Sequence, residues 1–95
     1  MPAYVLVEIE IQDPDLYEAY KQLTPASIAE YKGKFIVRGG ETKVMEGTWQ
    51  PKRVVLLEFP SIQMAESWWH SEAYTKARKI REMAAKTNML ILDGL

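Results

Sequence analysis

Residues 3 to 11, AYVLVEIEI, alternate strictly. Val5, Val7, Ile9 and Ile11 fall on one face, and Tyr4, Leu6, Glu8 and Glu10 on the other, the period-2 mark of a strand. Asp13-Pro14 then ends the strand and opens a helix, because Asp13 can accept from free helical amides and Pro14 suits the first helical position. Leu16, Tyr17, Tyr20 and Leu23 follow at helical spacing. Thr24-Pro25 repeats the same device, so a separate second helical piece is expected from about Pro25 to Tyr31, with Gly33 as the stop. Residues 34 to 38 read as a second strand, which Gly39-Gly40 ends or bends. Thr42 to Glu46 alternates and reads as an edge segment. Residues 53 to 59, RVVLLEF, are almost continuously apolar, as in a central strand. Ser61 and Ser71 each read as an N-cap, which predicts a helix in two pieces across 62–84. Asn88 to Leu92 reads as the last strand.

The resulting order, β-α-β-β-α-β, is the ferredoxin-like split βαβ arrangement. Right-handed crossovers place the helices on one face of a four-stranded antiparallel sheet with spatial order 4-1-3-2. The opposite face then carries Leu6 and Leu56, joined by Ile36, Leu90 and Leu92, and a large apolar face needs a partner. A second copy of the chain, sheet against sheet, solves this as a two-fold dimeric α+β barrel.

Composition narrows the class. The 95 residues make one domain, 1–95, with 47% hydrophobic residues and a formal charge of −1. That balance argues against nucleic acid as a partner, and the basic residues from Lys76 to Lys86 alternate with Glu82 as on a solvated helix face. There is no cysteine, hence no disulfide and no thiolate metal site. No stretch approaches a membrane span of about 20 apolar residues, and the start lacks a signal-peptide pattern. The expected location is cytoplasmic.

Candidate chemistry comes from charge on apolar strand faces. Regular alternation puts Glu8, Glu58 and Arg38 on the face away from the helices, on adjacent strands. Buried charges are costly unless paired, so this cluster is either an ion pair that fixes a dimer interface or a site. As a site, the Arg38 guanidinium holds a carboxylate or carbonyl, with Glu58, Glu8 or His70 as candidate acids or bases. Gly39 and Gly40 read as a bend at its mouth. Tyr74 and Arg81 share a helix face and are expected to approach the same cavity, joined by Trp69. His70 is the only histidine and has no ligand partner at metal-binding spacing, so no metal site is expected. No GxGxxG, P-loop or nucleophilic triad is present, and no cofactor is implied.

Taken together, "YKGKFIVRGG" (31–40), "EGTWQPKRVVLLEFPS" (46–61), "AESWWHSEAY" (65–74), Arg81 and "ILDG" (91–94) resemble the DUF1330 family, small uncharacterised proteins of the dimeric α+β barrel type. The resemblance spans essentially the whole chain. It implies a homodimer with a pocket and no established reaction. Trp69 departs from it, since relatives usually carry tyrosine there. Antibiotic-biosynthesis monooxygenases and muconolactone-isomerase-like enzymes share the barrel by fold-level analogy only. The reading is a homodimer that binds a small, anionic metabolite in the cavity between sheet and helices, with enzymatic activity left open. Its alternative is a non-catalytic structural or interaction dimer in which the Arg/Glu cluster only fixes the interface.

Overall fold

A computed structural model describes residues 1–95. Strand β1 (Ala3–Ile11) is followed by helix α1 (Pro14–Glu30), strands β2 (Lys34–Arg38) and β3 (Arg53–Phe59), helices α2 (Ile62–His70) and α3 (Glu72–Ala84), and strand β4 (Ala85–Asp93). The strands form one antiparallel sheet in the order β2-β3-β1-β4, as the topology predicts. The chain has a ferredoxin-like fold, with three helices on one face of the sheet.

The alternation of β1 and β3 becomes a two-sided sheet. Val5, Val7 and Ile9 are buried under the helices with Val55, Leu57 and Phe59. Trp68 and Tyr74 complete this core with stacked rings, 4.0 Å between centroids, and Phe59 lies 5.3 Å from Trp68. Truncating a ring buried this fully costs about 3–5 kcal/mol. Ser71 breaks the second helical region as its cap-like position foretells. Its hydroxyl donates to the Trp68 carbonyl at 2.7 Å and accepts from the Tyr74 amide at 3.1 Å, which turns α2 into α3.

Three local expectations need correction. No strand forms between Gly39 and Lys52, so the segment 42–46 is loop rather than sheet edge. Strand β4 begins at Ala85, directly after α3, rather than at Asn88. Helix α1 runs unbroken through Pro25. A proline inside a helix removes the bond to the carbonyl four residues back, here that of Lys21. That oxygen finds substitutes: Thr24 Oγ1 donates to it at 3.4 Å and Arg38 Nη2 at 3.3 Å. The helix ends at Glu30, where Lys32 takes the left-handed conformation (φ 62°) and the Gly33 amide donates to the Ile28 carbonyl. Gly33 serves close approach, since a side chain there would collide with the Phe59 ring.

The face away from the helices is open. Leu6 lies opposite Leu56 on one neighbour and Leu90 on the other. Leu90 and Leu92 remain about half exposed there, at 50% and 45%. No helix is long and apolar enough to cross a membrane.

Candidate functional site

Strand β2 decides the geometry of the site. Phe35 pairs with Leu57, but Val37 pairs with Leu56 and Arg38 with Val55, because a bulge inserts one extra residue between Phe35 and Val37. A bulge shifts the alternation by one. Arg38 therefore turns to the helix side of the sheet, with Phe35. Its guanidinium carbon sits 4.3 Å from the Phe35 ring centroid, and Nη2 donates to the Lys21 carbonyl left free by Pro25.

This overturns the expected cluster of Arg38, Glu58 and Glu8. Glu58 stays on the open face and pairs with Lys34 at 3.3 Å. Glu8 also faces that side, where Trp49 Nε1 donates to it at 2.6 Å and Asn88 Nδ2 at 3.4 Å. The three charges do not meet, so they neither form a site nor act together as an interface clamp.

Arg38 instead meets Arg53. The alternation that sends Val55, Leu57 and Phe59 under the helices sends Arg53 there too, a signal present in the period of the strand although Arg38 is the more conspicuous charge. Arg53 lies 5.7 Å from the Tyr17 ring centroid, and its Nε is buried without an acceptor. Gly39 makes room for it. With φ 73° and no side chain, Gly39 lets the guanidinium lie against the backbone, where a Cβ would come within 2.6 Å of Arg53 Cζ. Gly40 meets no such constraint: the nearest neighbour of a Cβ there would be Val37 Cγ1, at 3.8 Å.

Beneath the two arginines is an apolar cavity between α1 and the sheet, about 370 Å³ with its mouth included. Tyr17, Tyr20, Ile28, Phe35, Trp68 and Met89 are among its walls. It is narrow inside, with room for a water or two. The mouth opens into a polar recess lined by Glu18, Lys21, Gln22, Pro25, Arg38 and Arg53. Lys21 pairs with Glu18 at 3.5 Å, whereas neither arginine takes part in any of the chain's ion pairs. Inside, the Tyr20 and Tyr74 hydroxyls share a 2.9 Å hydrogen bond, and Trp68 Nε1 donates to Ser27 Oγ at 3.2 Å. Burial pushes both Tyr17 and Tyr20 up from the ordinary phenol value; the Arg53 guanidinium pulls Tyr17 part of the way back, while Tyr74 raises Tyr20 further. Both phenols stay protonated at neutral pH. The site therefore offers cationic donors at its rim and neutral hydroxyls below.

The remaining candidates lie elsewhere. Tyr74 is fully buried behind Tyr20 and does not line the cavity. Trp69, His70 and Arg81 line a different recess beside β4, so they do not join Arg38. The chain brings together no cluster of three His, Cys, Asp or Glu side chains that could hold a metal.

The family model described as "Domain of unknown function (DUF1330)" matches residues 2–95. The chain belongs to the DUF1330 family. Among solved structures it is similar to a protein of unknown function from Rhodopseudomonas palustris, at 21% identity over 99% of this chain and 82% of that one, with a TM-score of 0.76. A dimeric ferredoxin-like protein of unknown function from Jannaschia sp. CCS1 matches at 11% identity over 99% and 100%, with a TM-score of 0.74. SnoaB, a cofactor-independent oxygenase from Streptomyces nogalater, matches at 7% identity over 99% and 93%, with a TM-score of 0.68. At these identities the likeness is one of fold. No curated protein matches the chain.

Proposed function

We propose that this DUF1330 member binds a small organic anion between α1 and the sheet, with its carboxylate at Arg38 and Arg53 and its apolar body toward the cavity. One observation carries the reading: two guanidiniums without carboxylate partners stand at the mouth of an apolar cavity. Guanidinium forks match a carboxylate bidentately, and the Lys21 ammonium at the same rim offsets the Glu18 carboxylate, leaving the two arginines as the uncompensated charges. The narrow interior requires the aromatic walls to part as the ligand enters. Catalysis on the bound molecule remains the further form of the proposal, supported by fold alone through SnoaB and a putative antibiotic biosynthesis monooxygenase from Nitrosomonas europaea.

The working unit in this proposal is a homodimer joined through the open sheet face. Support comes from the exposed Leu90 and Leu92 beside Leu6 and from the dimeric Jannaschia relative. A purely structural dimer held by an Arg38–Glu58 pair has lost its basis, because those residues face opposite sides of the sheet.

The test is a titration with a panel of aliphatic and aromatic monocarboxylates, following the indole N–H resonance of Trp68. Saturable shifts are expected, weakened about tenfold or more in Arg38→Ala and in Arg53→Ala. Equal responses from wild type and both variants would remove the arginines from the site.

A further inference from the structure

We infer a second carboxylate site, separate from the first, in the recess between β4 and the α2–α3 corner, with Arg81 as its anchor. Arg81 stands in the last turn of α3 and is only 7% exposed. It takes part in no ion pair. The other arginines have local company: Arg38 lies over Phe35, Arg53 over Tyr17, and Arg78 over Trp69 with Glu82 at 2.9 Å. Arg81 has neither an aromatic face nor a carboxylate, and its buried Nε, like those of Arg53 and Arg78, has no acceptor. The Thr87 hydroxyl, on β4, is likewise buried without a partner. Both residues line the same recess, about 740 Å³ with its open side included.

A buried cation without a counter-charge is strongly disfavoured, and buried polar groups are nearly always satisfied. Two unsatisfied groups in one recess therefore point to an acceptor supplied from outside. A carboxylate fits both, taking the guanidinium fork on its two oxygens and the Thr87 hydroxyl as a further donor. Met89, Ile91 and the ring of Trp69 form an apolar wall for the rest of the molecule, and His70 stands at the edge. Glu66 lines the same recess, so a second negative charge on the ligand is repelled. The ligand class is a small monocarboxylate with an apolar body. Met89 borders this recess and the Arg38–Arg53 cavity alike, so the two sites are neighbours with separate mouths.

Benzoate titrated into the full-length, nitrogen-15-labelled protein tests this, because Trp69 lines this recess and Trp68 the other. The expected result is a saturable shift of the Trp69 indole resonance that weakens about tenfold or more in Arg81→Met and several-fold in Thr87→Val. The Trp68 response should persist in both variants. Arg81→Met keeps the side chain's length and removes an uncompensated charge, so the fold is expected to hold. Should that variant fail to fold, Thr87→Val decides: a several-fold loss supports the site, and an unchanged Trp69 response overturns it. A Trp69 resonance that does not respond to benzoate, or responds equally in Arg81→Met, also overturns it. Loss of the Trp68 response alone would count against the first site and leave this one standing.

Discussion

Gly39→Ala should cost both stability and ligand affinity, while Gly40→Ala next door should cost neither. At Gly39 the backbone is left-handed, φ 73°. A residue with a side chain pays about 1–2 kcal/mol for that conformation. In a domain of this size each kcal/mol lowers the melting temperature by about 4–8 °C. The new methyl group would also fall within 2.6 Å of Arg53 Cζ. That clash is with the end of a flexible side chain, so it is relieved by moving the guanidinium, and the consequence is a displaced anchor more than lost stability. Gly40 lacks a positive φ and its substituent would have 3.8 Å of clearance, so its variant should stay within about 0.5 kcal/mol of wild type. Thermal melts and carboxylate titrations of both variants, with Arg53→Ala and the Gly39→Ala/Arg53→Ala double variant, complete the assay. If Gly39 acts on binding by seating Arg53, the double variant binds no more weakly than Arg53→Ala. A further loss in the double variant, or identical behaviour of the two alanine variants, would refute the argument.

Pro25→Ala should raise stability by about 1–3 kcal/mol, since it restores an amide facing the Lys21 carbonyl inside α1. The same change takes that carbonyl from Arg38, so carboxylate affinity should fall as the melting temperature rises; a lower melting temperature contradicts the account. The raised Tyr17 and Tyr20 phenols favour the neutral form in the folded state. Their stabilisation is therefore complete below the unfolded phenol value near 10 and is lost above it, at about 1.4 kcal/mol per pH unit for each group. Urea unfolding of Tyr20→Phe should show a shallower decline above pH 10 than wild type, and an equally steep one would exclude Tyr20 as a source. Leu90→Asp, on the open face, should convert a dimer to monomers in light scattering at micromolar concentration; a monomeric wild type would already dispose of the barrel.

The fold was legible because its signals are local and repeated. The alternation of Val5, Val7 and Ile9 states which face of β1 is buried, and Ser71 announces the turn between α2 and α3 through a cap that needs only its own neighbours. The site was less so. Whether Arg38 follows the alternation depends on a bulge whose register is set by pairing with β3, about 20 residues further along the chain, and nothing within KFIVR declares it. Pro25 misled in the other direction: the local rule that proline breaks a helix was outweighed by substitute donors to the Lys21 carbonyl, one of them from β2. The bond from Trp49 to Glu8 joins residues 41 positions apart and has no local signature. Arg53 differs from these, since the period of its own strand places it correctly.

Three departures from regular structure converge on one rim. The bulge turns Arg38 from the open face to the helix side, Pro25 leaves it a backbone acceptor on α1, and Gly39 lets Arg53 lie beside it. Each departure has a cost or an irregularity that a simpler sequence would avoid. A regular β2 would put Arg38 on the face that carries Leu6, Leu56 and Leu90, where closure by a second copy would bury its charge. The bulge thus removes a cation from the apolar face and delivers it to the cavity mouth. One extra residue in an edge strand serves both the proposed interface and the proposed site, so a further one-residue slip beyond it should damage them together. Insertion of one residue between Val37 and Arg38 is expected to move Arg38 from the Val55 side to the open face, weakening carboxylate binding and association alike. Loss of one with the other intact would separate the two roles.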